Sequence, residues 1–160
     1  MTDFQDLYRR YAADIYRFAL FLCGNEAEAE DITAETFARA ITGKAPLVPA
    51  TVKGYLLTIT RNLHLEMLRK RKQTGELKPE FPDPDPHPEH VLVHKTELEA
   101  LQAYLQTFPE TDRTALLLRA DGIAYGEIAN ALDITLASAK VKVHRLRQKL
   151  AEWRSDHELE

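Results

Sequence analysis

The chain has 160 residues, of which 44% are hydrophobic and 29% charged, and its formal net charge is -4. That is enough to bury a core as one domain or two small ones. A lone cysteine, Cys23, excludes an internal disulfide framework and fits a reducing compartment; within "FALFLCG" it reads as a buried structural thiol. "MTDFQDLYRR" lacks the basic start and apolar stretch of a signal peptide, and the longest apolar run, "FALFLC", is too short to cross a bilayer. A cytoplasmic chain without membrane insertion is expected.

In chain order, apolar residues at 4, 7, 8, 11, 15, 18, 19 and 22 predict an amphipathic helix from Phe4 to Leu22. Gly24 and Asn25 stop it and cap a second, about Glu26 to Ile41, with Ala29, Ile32, Thr36, Phe37 and Ala40 on one face. "GKAPLVPAT" reads as a loop. A third helix, about Val52 to Lys72, is expected to bury Val52, Tyr55, Leu56, Ile59, Leu63 and Met67, and its basic end "RKRK" suits the helix dipole. "TGELKPEFPDPDPHPEH" carries five prolines and reads as an extended acidic linker. It divides the chain into 1–73, a linker at 74–89 and 90–155, two halves free to change orientation. The second half opens with a helix through Leu98, Leu101 and Leu105, followed by "ETDRTALLLRADG". A short helix from Tyr125 to Leu132, a "DIT" turn and a long basic helix capped by Thr135 then make a helix-turn-helix. No segment shows strand alternation, so the fold class is all-α, two small helical domains joined by the linker.

Charge is segregated along this acidic chain. Residues 1–35 hold eight acids and three bases, 51–78 seven bases and two acids, 79–112 eight acids and one base, and 135–154 six bases and one acid. Two basic blocks around an acidic one suit two polyanion-facing surfaces, or simply solvated helix faces. On the last helix, Ala139, Val143, Leu146, Leu150 and Trp153 form one stripe, while Ala137, Ser138, Val141, His144, Arg145 and Gln148 lie opposite. Lys140 and Arg147 flank the stripe on one side, Lys142 and Lys149 on the other. Alone this is equally a plain amphipathic helix; the short helix and turn before it favour insertion into a major groove.

Three blocks in order, "LYRRYAADIYRFALFLCGNEAEAEDITAETFARA", "GYLLTITRNLHLEMLRKRKQ" and "LQTFPETDRTALLLRADGIAYGEIANALDITLASAKVKVHRLRQKL", resemble the sigma-70 family of RNA polymerase sigma factors, in its extracytoplasmic-function (ECF) group. The first two are similar to region 2, the third to region 4. The resemblance implies promoter-specific initiation with core RNA polymerase, recognition of −10 and −35 elements, and control by an anti-sigma factor. It places polymerase contact, on the largest subunit's clamp helices, at Asp31, Glu35 and Phe37, and −10 contact at Arg61, Asn62, Arg69, Lys70 and Arg71. The loop Lys44–Thr51 corresponds to the pocket for a flipped base. Region 4, which also meets the polymerase flap, would read −35 DNA with Lys140, Val141, His144 and Arg145, supported by Ser138, Lys142 and Lys149. Glu80, Asp83 and Asp85 in the linker serve either as an RNA mimic or as part of a tether. The sequence departs from the family at Ala34 (usually glutamine), Tyr55 (usually tryptophan), Glu66 (often aspartate) and Val141 (usually small and polar).

Two rival readings exist. His87, His90 and His94 have ligand-like spacing but no cysteine or clear acidic fourth ligand, so no metal site is expected. Without a nucleophile–base pair or phosphate-cradling glycine loop, no catalytic residue, no cofactor and no enzymatic activity are expected. The alternative is a sigma-like decoy that sequesters an anti-sigma factor without binding DNA; it has no need of the basic face. Only "RSDHELE" follows Trp153, so no appended regulatory domain is expected.

Overall fold

Capping residues set the helix boundaries in the computed structural model, which describes residues 4–43, 51–74 and 96–158. The helices are α1 (Phe4–Cys23), α2 (Glu26–Thr42), α3 (Val52–Thr74), α4 (Glu97–Leu105), α5 (Glu110–Ala120), α6 (Tyr125–Leu132) and α7 (Leu136–Glu158), with no strand among the described residues. The base-pocket loop at 44–50, the linker acids and His87, His90 and His94 lie outside the described residues. Gly24 takes φ +71°, the left-handed turn that lets α1 end and α2 begin at once. Asn25 Oδ1 then accepts the Glu28 N–H at 2.9 Å, and Thr51, Thr96 and Thr135 cap α3, α4 and α7 in the same way.

Helices α1, α2 and α3 pack together around Ala19, Ala29, Ile32, Ile59 and Leu63. Beside this cluster the Thr36 and Thr60 hydroxyls lie 3.0 Å apart, each also within hydrogen-bond reach of the carbonyl four residues back, so that one donates to the other hydroxyl or both donate to the backbone. Both hydroxyls are buried and satisfied. Arg39 spans α2 and α3 through a two-pronged bond to Glu66, at 3.0 and 3.2 Å. Glu66 thus acquires a bracing role, and these bonds hold its carboxyl below the usual glutamate range.

The two halves are not independent packing units. Ile15, Phe18, Leu22 and Leu57 share one apolar cluster with Leu105, Leu116, Ile128, Val143 and Leu146. The reason lies in α1 and α3, whose apolar surfaces are wider than one three-helix unit covers. In addition to the expected Leu56, Ile59 and Leu63, helix α3 buries Thr60 against α2, and Leu57 and His64 because α5 packs on it as well. Val52, expected in the core, is 50% exposed at the first turn of α3, and Tyr55 and Met67 are only partly buried.

Because Leu146 is only 1% exposed in this shared cluster, Leu146→Ala should cost roughly 2–5 kcal/mol. Urea unfolding should show one transition displaced as a whole. Two separate steps, with the first half unaffected, would contradict a shared core.

Candidate nucleic-acid interface

The turn between α6 and α7 is built by Asp133, in the left-handed conformation at φ 55°, and by the Ile134 N–H, which bonds the Ala129 carbonyl at 3.0 Å. Thr135 Oγ1 accepts the Ser138 N–H at 3.0 Å and starts α7. Ala139, Val143 and Leu146 face the core, and Trp153 stacks on Tyr104 with ring centroids 5.7 Å apart. Lys140, Val141, His144, Arg145 and Lys149 are all exposed, as the helical periodicity requires. Ser138 is half-buried beside the cap. Lys142 differs: its Nζ lies 3.0 Å from Asp112 on α5, so its charge braces the motif from behind.

On α3, Asn62, Arg69 and Lys70 are exposed. Arg71 is paired with Glu28 of α2. Arg61 is the most constrained of the five, with a side chain only 12% exposed. Its guanidinium binds both carboxylate oxygens of Glu110 at 3.2 Å and the Ala131 carbonyl at 3.3 Å. A cation expected to meet promoter DNA is thereby held by the other half of the molecule. On α2, Asp31 and Glu35 are exposed, Glu35 pairing with Arg39 at 3.2 Å. Phe37 is corrected: at 1% exposure, packed against Tyr8 with centroids 5.0 Å apart, it is a core residue and has no surface to offer a partner.

More polar contacts join the halves. Gln106 Nε2 donates to the Phe21 and Leu22 carbonyls, and Arg113 donates to the Leu22 and Phe108 carbonyls. The open C-terminal end of α1 is thus capped by the second half, where a cation also suits the helix dipole. Lys53 bridges Asp14 at 3.4 Å and Asp121 at 3.2 Å. Burial would lift the Glu110 carboxyl, but bonds from Arg61 and Thr114 outweigh it and hold the group below the usual glutamate range.

Comparison with known proteins gives this geometry a family. Residues 7–74 match the model of sigma-70 region 2, and residues 98–150 that of sigma-70 region 4. The chain is 31% identical to the ECF RNA polymerase sigma factor EcfG of Rhodopseudomonas palustris, over 84% of this chain and 75% of that protein. The chain belongs to the ECF sigma factors. It is also 37% identical to the ECF sigma factor SigE of Mycolicibacterium smegmatis, over 100% of this chain and 65% of that one, and 29% identical to SigM of Bacillus subtilis, over 91% of both. Its fold is that of the sigma factor RpoE in a co-crystal structure with the anti-sigma factor NepR from Bartonella quintana. The TM-score is 0.72 at 23% identity, covering 95% of this chain and 96% of that one.

In this ECF sigma factor the exposed basic face of α7 emerges where the sequence put it, as do Asn62, Arg69 and Lys70 of α3, whereas Arg61 and Arg71 are held in ion pairs. The contacts across the halves do not follow from periodicity. Arg113 offered one signal, a lone arginine at the helical spacing of Leu116, Leu117 and Ala120. The cation–π contact between Arg119, just before the helix-turn-helix, and Tyr125, its first residue, has no sequence signature.

His64 sits in the seam between halves, 6% exposed, and its Nε2 has no hydrogen-bond partner among the described residues. Burial lowers its pKa to about 4; Glu110 pulls it up, and Arg113 and Arg61 push it down. The unfolded chain therefore takes up a proton near pH 6.5 that the folded chain refuses. This contribution is intact above pH 6.5 and lost as pH falls toward 4, amounting to roughly 2–3 kcal/mol by pH 4.5. Urea unfolding at stepped pH should show that slope, and His64→Leu should flatten it. An unchanged slope in the variant would place the proton uptake elsewhere.

Proposed function

We propose that this chain binds core RNA polymerase and directs it to promoters carrying −10 and −35 elements. Helix α7 reads −35 DNA. What carries this reading is the single face on which Lys140, Val141, His144, Arg145 and Lys149 stand exposed while the opposite face is core. A decoy that only captured an inhibitor would have no use for that face. The non-catalytic role and cytoplasmic location of such factors come with this reading.

The roles divide by chemistry. Arg145 can pair with the two acceptors on a guanine edge, Val141 can contact a thymine methyl, and Lys140 and Lys149 reach phosphates. Lys142, committed to Asp112, sets the pose of α7. The exposed carboxylates of Asp31 and Glu35 suit a protein partner and repel DNA. Asn62, Arg69 and Lys70 meet the −10 region directly, and Arg61 joins them once it leaves Glu110. Arg71 supports α3 through Glu28. An anti-sigma factor fits the same reading, since the RpoE chain of similar fold was crystallised with one.

Transcription with core polymerase on a pool of genomic fragments should give defined start sites. On a panel of −35 variants, Arg145→Ala should cost about 1–3 kcal/mol and relax one base position. Lys149→Ala should weaken every variant alike and lower the salt slope by about one. Equal losses for both variants across the panel would reduce α7 to an electrostatic anchor, and failure to bind core polymerase would favour the decoy.

A further inference from the structure

The ring of Tyr125, at the first position of α6, has two cations over it. The Arg119 guanidinium carbon lies 4.5 Å from the ring centroid and the Lys140 ammonium 6.0 Å from it. Arg119 lies in the last turn of α5 and is fixed a second time, its Nη1 donating to the Ile123 carbonyl at 3.1 Å. Lys140 belongs to the reading helix. Two positive charges gathered at one ring repel, and a free lysine side chain samples many rotamers. An aromatic face offsets both costs, because its negative quadrupole attracts each cation. Tyr125 is only half-buried, so its ring does more here than fill the core.

We propose that Tyr125 is a positioning residue for −35 binding, holding Arg119 and Lys140 as a paired clamp for a phosphate of the DNA backbone. Arg119 comes from before the helix-turn-helix and Lys140 from within it, so the ring joins the supporting helix to the reading helix at the point where DNA enters. The clamp adds affinity and orientation while leaving base choice to Arg145 and its neighbours. The proposal rests on the reading of α7 as the DNA-facing helix.

The test uses the full chain bound to core polymerase and a −35 duplex selected from a fragment pool by the wild-type complex. Residue 125 is changed to Phe, to progressively fluorinated phenylalanines and to Leu. Fluorination drains the ring's negative potential with little change of shape, so a purely structural role leaves binding flat along the series. Tyr125→Phe should bind within about twofold of wild type, and affinity should fall stepwise with fluorination to about tenfold for Tyr125→Leu. The salt slope should fall by about one. With Arg119→Gln and Lys140→Gln already present, the same ring changes should have no further effect. A flat fluorination series, or ring effects undiminished in that background, overturns the clamp. A wild-type complex that selects no duplex overturns the functional reading itself, and the clamp with it.

Discussion

The guanidinium of Arg61 joins α3 to Glu110 at the start of α5 and to the Ala131 carbonyl at the end of α6, and it can hold only one set of anions at a time. As long as Glu110 is its partner, the half that would face the −10 element is fastened to the half that would face the −35 element. Breaking a largely buried pair by stranding one member is expensive, on the order of 3–5 kcal/mol, whereas exchanging one anion for another leaves no charge stranded. A DNA phosphate offers Arg61 the same chemistry as the Glu110 carboxylate. On the proposed function, closure and promoter engagement would compete for this one side chain.

The rest of the seam is compatible with such an exchange. Gln106 and Arg113 complete the end of α1, and apolar residues of both halves form one cluster, so the closed form is specific. Yet His64 Nε2 and Arg113 Nε are buried there without partners among the described residues. Unsatisfied buried donors or acceptors typically cost about 1–3 kcal/mol each, and opening the seam returns both to water. The closed form thus combines good packing with a standing polar penalty, which lets a polymerase surface shift the balance.

Much of this molecule was legible in the sequence where one local pattern decides the outcome. The 3.6-residue period places Ala139, Val143 and Leu146 inward and Arg145 outward, and Gly24–Asn25 and Thr135 mark boundaries by short-range bonding. The exposed basic face of α7 came through for that reason. Legibility failed where a residue's fate depends on a distant segment. Phe37 shows two readings in conflict: the helical period puts it on the apolar face of α2, where it is buried, while the family resemblance made it a polymerase contact beside exposed Asp31 and Glu35. Lys142 and Arg71 read as free cations until Asp112 and Glu28 come beside them. A proline-rich acidic linker suggested two halves free to change orientation, open or closed, and did not decide between them; α1 and α3 carry apolar surface on more than one side, and a single preferred face per helix does not reveal that.

Pulsed electron–electron distance measurement tests the closed pairing most directly, with spin labels at Ala38→Cys and Asn130→Cys, both exposed, and Cys23→Ala to remove the native thiol. The free chain should give one short, narrow distance distribution. Glu110→Gln should broaden and lengthen it, and so should addition of core polymerase to the otherwise unmodified labelled chain. A broad distribution in the free chain that neither change alters would contradict the account, because the halves would then be independent and Arg61 would never have been held.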